Sequence, residues 1–141
     1  MRQKTFASLA LAFGLAFVSA ANAQDVTGRW RNPAEEGDLV IYPCGDKICA
    51  KGVASDTSKP SDDVKDVKNK NPELRNRSLN GLEVMRGFAG GPKVWSGGSI
   101  YRPADGNTYS GRMELVDPNT LKLTGCVMAP LCQSQIWKRV S

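Results

Sequence analysis

The sequence predicts an all-β protein: eight short strands running up and down into one closed antiparallel barrel, with one long loop and short-helix insertion. Three observations predict it. Strand-period segments recur through residues 24 to 141, separated by Gly, Pro, Asn and Asp clusters, and no long helix-period segment interrupts them. Gly28-x-Trp30 stands near one end and Trp137-x-Arg139 near the other, the pairing that small barrels use where first and last strands meet. The four cysteines form two close pairs, Cys44 with Cys49 and Cys126 with Cys132, each placed to clamp a hairpin turn.

Residues 1 to 23 read as a secretory signal. Arg2 and Lys4 supply the positive start, Phe6 to Val18 the apolar run, and Ala21-Asn22-Ala23 a small-residue cleavage site. That run of 13 residues falls short of the roughly 20 needed to span a bilayer, and no later stretch comes close, so no membrane span is expected. Cleavage leaves Gln24 to Ser141 as a single domain of 118 residues. The first cysteine is Cys44, so no lipid anchor follows the cleavage site, and a periplasmic or secreted location is expected.

The strand candidates, in order, are Val26 to Arg31, Asp38 to Tyr42, Ile48 to Val53, Leu82 to Phe88, Val94 to Tyr101, Tyr109 to Leu115, Thr120 to Thr124 and Gln133 to Val140. Alternation is plainest in the sixth and seventh. Tyr109, Gly111, Met113 and Leu115 share one face against Ser110, Arg112 and Glu114, while Leu121 and Leu123 oppose Thr120, Lys122 and Thr124. Asp117-Pro118-Asn119 has the composition of the turn between them. Gly97-Gly98 inside the fifth strand predicts a bulge or bend.

Ala54 to Asn80 breaks the rhythm with 27 mostly polar residues carrying charges of both signs. Within it Asn71-Pro72-Glu73-Leu74 has the cap, first-turn Pro and acidic residue of a short helix. Ser61 to Lys68 is expected to form another turn or two with Val64 and Val67 facing inward, and the whole segment to sit over one barrel end.

Several chemistries are excluded by composition. The chain has no histidine, which removes Ser-His and Cys-His nucleophilic arrangements and histidine metal sites. In an oxidising compartment the cysteines read as two disulfides rather than a zinc site; of three connectivities the spacing favours 44 with 49 and 126 with 132, each worth about 2 kcal/mol. Asp105-Gly106-Asn107 reads as a β-turn rather than a calcium loop. Neither cofactor nor metal is expected. After cleavage, 17 basic side chains face 14 acidic ones, interleaved rather than striped, so no nucleic-acid partner is expected. Asp38, Glu83, Asp105 and Glu114 are available as carboxylates, but no spacing pairs two of them, and no enzyme activity is expected.

The candidate ligand-binding residues are Trp30, Tyr42, Trp95, Tyr101 and Tyr109, aromatics spread over four of the predicted strands that would line an apolar pocket wherever they point inward. Arg75 and Arg77 are candidates for an anionic group at the mouth, against the plainer role of pinning the long loop. Gly28, Trp30, Trp137 and Arg139 are assigned to closure, with Arg139 laid over the Trp30 ring.

Longer strings carry a family resemblance. Cys44-Gly45-x-x-x-Cys49, Asn71-Pro72-x-Leu74-Arg75-x-Arg77-x-Leu79-x-Gly81, Gly97-Gly98-x-Ile100-Tyr101-x-Pro103-x-Asp105-Gly106-x-x-Tyr109-x-Gly111, Leu121-x-x-x-Gly125-Cys126 and Trp137-x-Arg139 together resemble the domain-of-unknown-function family 2147. The family often has Pro after the second Arg of Arg-x-Arg, where this chain has Ser78. The resemblance implies a small exported bacterial protein with a lipocalin-like barrel, and it transfers no catalytic residue. Expected, then, is a barrel that binds a small apolar or amphipathic ligand. The alternative is a solid-packed barrel that acts through its surface on an envelope protein partner, as an interaction protein or inhibitor.

Overall fold

The computed structural model describes residues 14, 25–35, 37–54, 64–128 and 130–141; the expected signal apart from residue 14, its cleavage site, and residues 61–63 of the expected helical turn lie outside them. Eight strands form one closed barrel in sequence order, each antiparallel to its neighbours: β1 (Gly28–Arg31), β2 (Asp38–Cys44), β3 (Lys47–Val53), β4 (Glu83–Gly90), β5 (Val94–Arg102), β6 (Asn107–Asp117), β7 (Thr120–Met128) and β8 (Leu131–Arg139). Closure joins β1 to β8, with Trp30 opposite Arg139. Among the described residues, the closed barrel leaves no open sheet edge for another chain to extend.

The inward set follows the period-2 reading. Trp30, Leu39, Ile41, Ala50, Met85, Phe88, Trp95, Met113, Leu115, Leu121, Leu123 and Trp137 form one buried cluster, joined by Val26 ahead of β1. Exposed charges, among them Lys51, Arg86, Arg112, Lys122 and Lys138, stud the outer wall, which therefore faces water. No helix among the described residues is long and apolar enough to cross a membrane.

Bulges bend the walls at glycines. The β5–β6 register shifts between Trp95 and Gly98, where Gly97 has φ +74°, as the Gly97-Gly98 pair predicts. Gly98 and Gly111, paired across β5 and β6, serve a different need. A Cβ on either would stand 2.3 or 2.5 Å from the Phe88 ring, so this glycine pair is the slot that lets Phe88 lie flat across the barrel.

Both disulfides join the expected partners, Cys44 to Cys49 across the β2–β3 turn and Cys126 to Cys132 across the β7–β8 turn. They staple opposite ends of the barrel.

At one end the chain termini seal the barrel. The Arg139 guanidinium stacks 4.3 Å from the centroid of the Trp30 ring and donates to three carbonyls, those of Asp25 (2.6 Å), Thr27 (2.7 Å) and Pro118 (2.8 Å). Trp30 Nε1 donates to the Val26 carbonyl, which folds residues 25–27 beneath the ring. Gly28, with φ +123°, is required here, since a Cβ would meet the Ser141 carbonyl at 2.5 Å.

Candidate functional site

The opposite end is open. The turns at 32–37 and 103–106, the segment 64–80 and the β7–β8 hairpin gather there, and the interior holds a cavity of about 940 Å³. This lies within the range of small-molecule sites. Its inner wall is apolar, built from Leu39, Val84, Met85, Ile100, Leu123 and Trp137. Phe88, buried between Gly98 and Gly111 and close to Ile100, belongs to the solid layer that ends the cavity. Half of the barrel is packed and half is hollow.

The rim is polar. Gln135 shares a face with Trp137 and donates a 2.6 Å hydrogen bond to Glu35 on the 32–37 turn. Arg102, at the end of β5, stands between Glu35 (3.8 Å) and Asp105 (3.4 Å), and Asp105 also accepts from the Tyr109 hydroxyl at 2.5 Å. A guanidinium between two carboxylates balances their charge instead of leaving an acid–base pair. Among the described residues, no group of three or more Cys, Asp or Glu is placed to hold a metal ion.

The 64–80 segment is an ordered strap. Backbone bonds from Asp66 to Arg77 and from Leu79 to Val64 fold it on itself, and a single bridge joins Lys65 to Ser78. The expected short helix is one 3-10 turn, Pro72–Leu74, capped by the Asn71 side chain accepting from the Glu73 amide. No helix forms at Val64–Lys68. Val64 and Val67 line the cavity mouth yet stay largely exposed, so they are rim residues and not the buried face expected of them.

Asp66 ties the strap to the barrel. Its carboxylate is fully buried and accepts from the Tyr101 hydroxyl (2.5 Å), Asn69 Nδ2 (2.8 Å) and Arg77 Nε (2.9 Å), while the Arg77 guanidinium lies 5.5 Å from the Tyr101 ring centroid. Burial alone would raise its pKa, but the bonds from Tyr101, Asn69 and Arg77 together hold the carboxyl below its usual range. Burial, then the bond to Asp66 and its charge, push the Tyr101 hydroxyl up to about 12. A second pin is steric: a Cβ at Gly106 would stand 1.9 Å from the Lys68 carbonyl, and Lys68 Nζ donates to the Ala104 carbonyl. At the strap's far end the Asn80 side chain accepts from the Ala54 amide and Gly81 bonds to Gly52.

The candidate residues from sequence separate into three groups. Tyr101 lines the cavity, from a position on the wall where its hydroxyl also anchors the strap. Trp30 and Trp95 point inward, but Trp30 lies under Arg139 in the sealed end and the Trp95 ring packs where a Gly91 Cβ would be. Tyr109 points inward with its hydroxyl committed to Asp105, and Tyr42 shares the outer face of β2 with Asp38. Arg75 and Arg77 pin the strap, Arg75 through the Asn69 carbonyl (2.7 Å) and Arg77 through Asp66. Sequence reading missed Asp66, which stands in a run of alternating charge, and Gln135, which the same-face rule from Trp137 could have found.

Trp137 has one further property. Its indole N–H is buried and has no hydrogen-bond partner among the described residues, a state that costs about 1–3 kcal/mol.

An eight-stranded up-and-down barrel, sealed at one end by an Arg–Trp stack and hollow at the other, has the lipocalin-like architecture. Residues 28–139 match the family described as "Uncharacterized protein conserved in bacteria (DUF2147)", and the chain belongs to that family. Among solved structures it is similar to protein HP1028 from the human pathogen Helicobacter pylori, described as belonging to the lipocalin family. The two share 26% sequence identity with a TM-score of 0.72, over 83% of this chain and 84% of that one. No curated protein matches.

Proposed function

We propose that this protein is a non-enzymatic, exported binding protein that holds one small amphipathic molecule in its barrel. The observation that carries this reading is the cavity itself: about 940 Å³ with an apolar inner wall and a polar rim of Glu35, Gln135, Arg102, Lys65 and Lys68. Such a site suits an apolar chain inserted tail first with a polar head left at the rim. Lys65 takes the head-group role that sequence gave to Arg75 and Arg77, which pin the strap, and Lys68 stands beside it with its ammonium already donating to the Ala104 carbonyl. Two disulfides and a family conserved in bacteria fit the export expected from residues 1 to 23.

The surface-acting alternative would want Trp95, Tyr101 and Tyr109 in one exposed outer patch. Trp95 is buried, Tyr109 faces inward and Tyr101 is half-covered, which favours the cavity.

Titration with anilinonaphthalene sulfonate, an amphipathic probe that brightens in apolar surroundings, tests the reading. Saturable enhancement that is displaced by palmitate and lost in Leu123→Trp, which fills the inner wall, is expected. Enhancement unchanged by Leu123→Trp would overturn it.

A further inference from the structure

The two tryptophans near the ends of the chain point into the same barrel and meet different fates. Trp30, at the sealed end, donates through Nε1 to the Val26 carbonyl. Trp137, on β8, borders the cavity; it is 5% exposed, and its indole N–H has no hydrogen-bond partner among the described residues. Buried donors are nearly always paired, so an orphan calls for an acceptor from outside the chain. Here the orphan coincides with the hollow half of the barrel.

The chemistry around Trp137 narrows that acceptor. An indole N–H donates and accepts nothing. The wall beside it is apolar: Leu121 lies opposite Trp137 on β7, and Leu39, Met85 and Leu123 face the same cavity. A lone water finds too few partners in such a place, since buried waters make about three hydrogen bonds. A carboxylate or phosphate would be buried there without a cation, because the basic side chains that line the cavity, Lys65, Lys68 and Arg102, belong to the strap and the end of β5 at the rim. A neutral oxygen carried on an apolar chain fits. Its depth follows from the strand. Gln135, two residues toward the mouth on the same face of β8, bonds to Glu35 at the rim, which sets Trp137 about 7 Å further in along the strand.

We propose that the ligand is an amphipathic molecule with one neutral oxygen acceptor, a keto, ester or ether oxygen, set within its apolar chain, and that Trp137 Nε1 donates to it. The nitrogen is covered, so the indole tilts toward the cavity it borders as the bond forms. The inference rests on the cavity reading above and adds a basis for choosing among chains of equal length, which an apolar wall alone does not supply.

Isothermal titration of the full mature chain with stearate, and with keto-stearates that carry the oxygen at successive chain positions, tests it. At least one keto-stearate should bind more tightly than stearate, and Trp137→Phe should cut that ratio of affinities about tenfold. Taking the ratio cancels whatever the variant changes in packing common to both ligands. A second measurement needs no variant. In the wild-type chain, one of the three indole N–H proton resonances should move downfield with the preferred keto-stearate and stay in place with stearate. Equal binding of all the acids, a ratio that survives Trp137→Phe, or indole resonances that respond alike to both ligands would overturn the inference and leave the cavity reading standing. Binding of none of the acids would overturn the inference as well, and absence of anilinonaphthalene sulfonate enhancement beside it would take the cavity reading too.

Discussion

The Tyr101 hydroxyl donates a 2.5 Å hydrogen bond to Asp66 Oδ1, and this contact joins the barrel wall to the strap that borders the cavity mouth. The two residues are 35 apart in sequence, and neither Asp66 nor its other partners belong to a strand of the barrel. One buried carboxylate therefore ties the strap's part of the rim to the wall, beside the close approach of Gly106 to Lys68. Tyr101→Phe should cost about 1.5–3 kcal/mol, the range for hydrogen bonds to charged groups, read as a lower denaturation midpoint. Amide exchange should rise through residues 64–80 and stay unchanged in β6 and β7.

Acid should loosen the same contact. Asp66 and Asp38 both have pKa values lowered from 3.8, Asp66 by its three donors against the opposing effect of burial, Asp38 chiefly by Arg31 with Arg29 beside it. A carboxylate bound more tightly in the folded state contributes stability above its unfolded pKa, and that contribution is lost as pH falls through the lower folded value. Denaturation midpoints should hold above about pH 4 and fall below it, with a shallower fall in Asp66→Asn. Tyr101 acts in the opposite sense. Raised from 10.0 to about 12, it contributes stability that is present below pH 10 and lost between 10 and 12, and Tyr101→Phe should remove that alkaline loss.

At the sealed end, Arg139→Lys should not rescue what Arg139→Ala loses. An ammonium cannot serve the carbonyls of Asp25, Thr27 and Pro118 while lying flat on Trp30. Each variant should lose about 2–4 kcal/mol by urea denaturation, from the lost stack and three charge-assisted bonds. Ligand binding at the other end should be little changed in the folded fraction.

The two tryptophans of the closing bracket should respond differently to truncation. Trp30→Phe removes a ring with no exposed surface, its bond to the Val26 carbonyl and the platform for Arg139, and should cost about 2–4 kcal/mol. Trp137→Phe removes an unpartnered donor from a ring that already borders open space, and should cost about 1 kcal/mol or less. Thermal melts of the two variants side by side measure the difference.

Strand positions, the Gly97-Gly98 bulge, the turn at Asp117-Pro118-Asn119 and both cysteine pairings were legible in sequence, because each is written in local alternation, turn chemistry or short spacing. The closing bracket was legible for a related reason: Trp30 and Arg139 lie on strands that must meet if the barrel closes. The division of the interior was not. Whether an inward aromatic lines a cavity or fills a floor depends on where Phe88 crosses the Gly98–Gly111 slot, a contact between β4 and the β5–β6 pair that no local pattern encodes. Asp66 was hidden for the opposite reason. Its run, Val64-Lys65-Asp66-Val67-Lys68, has the composition of a solvated face, and only the fold brings Tyr101 and Arg77 to it.

Native mass spectrometry of the mature protein, released gently from the envelope of producing cells, tests ligand binding most directly. The hollow half-barrel predicts a bound species of a few hundred daltons on the wild-type chain, absent from Leu123→Trp and retained in Arg139→Ala. A wild-type chain that carries nothing after extraction, and takes up neither palmitate nor another amphipathic molecule when offered, would contradict it.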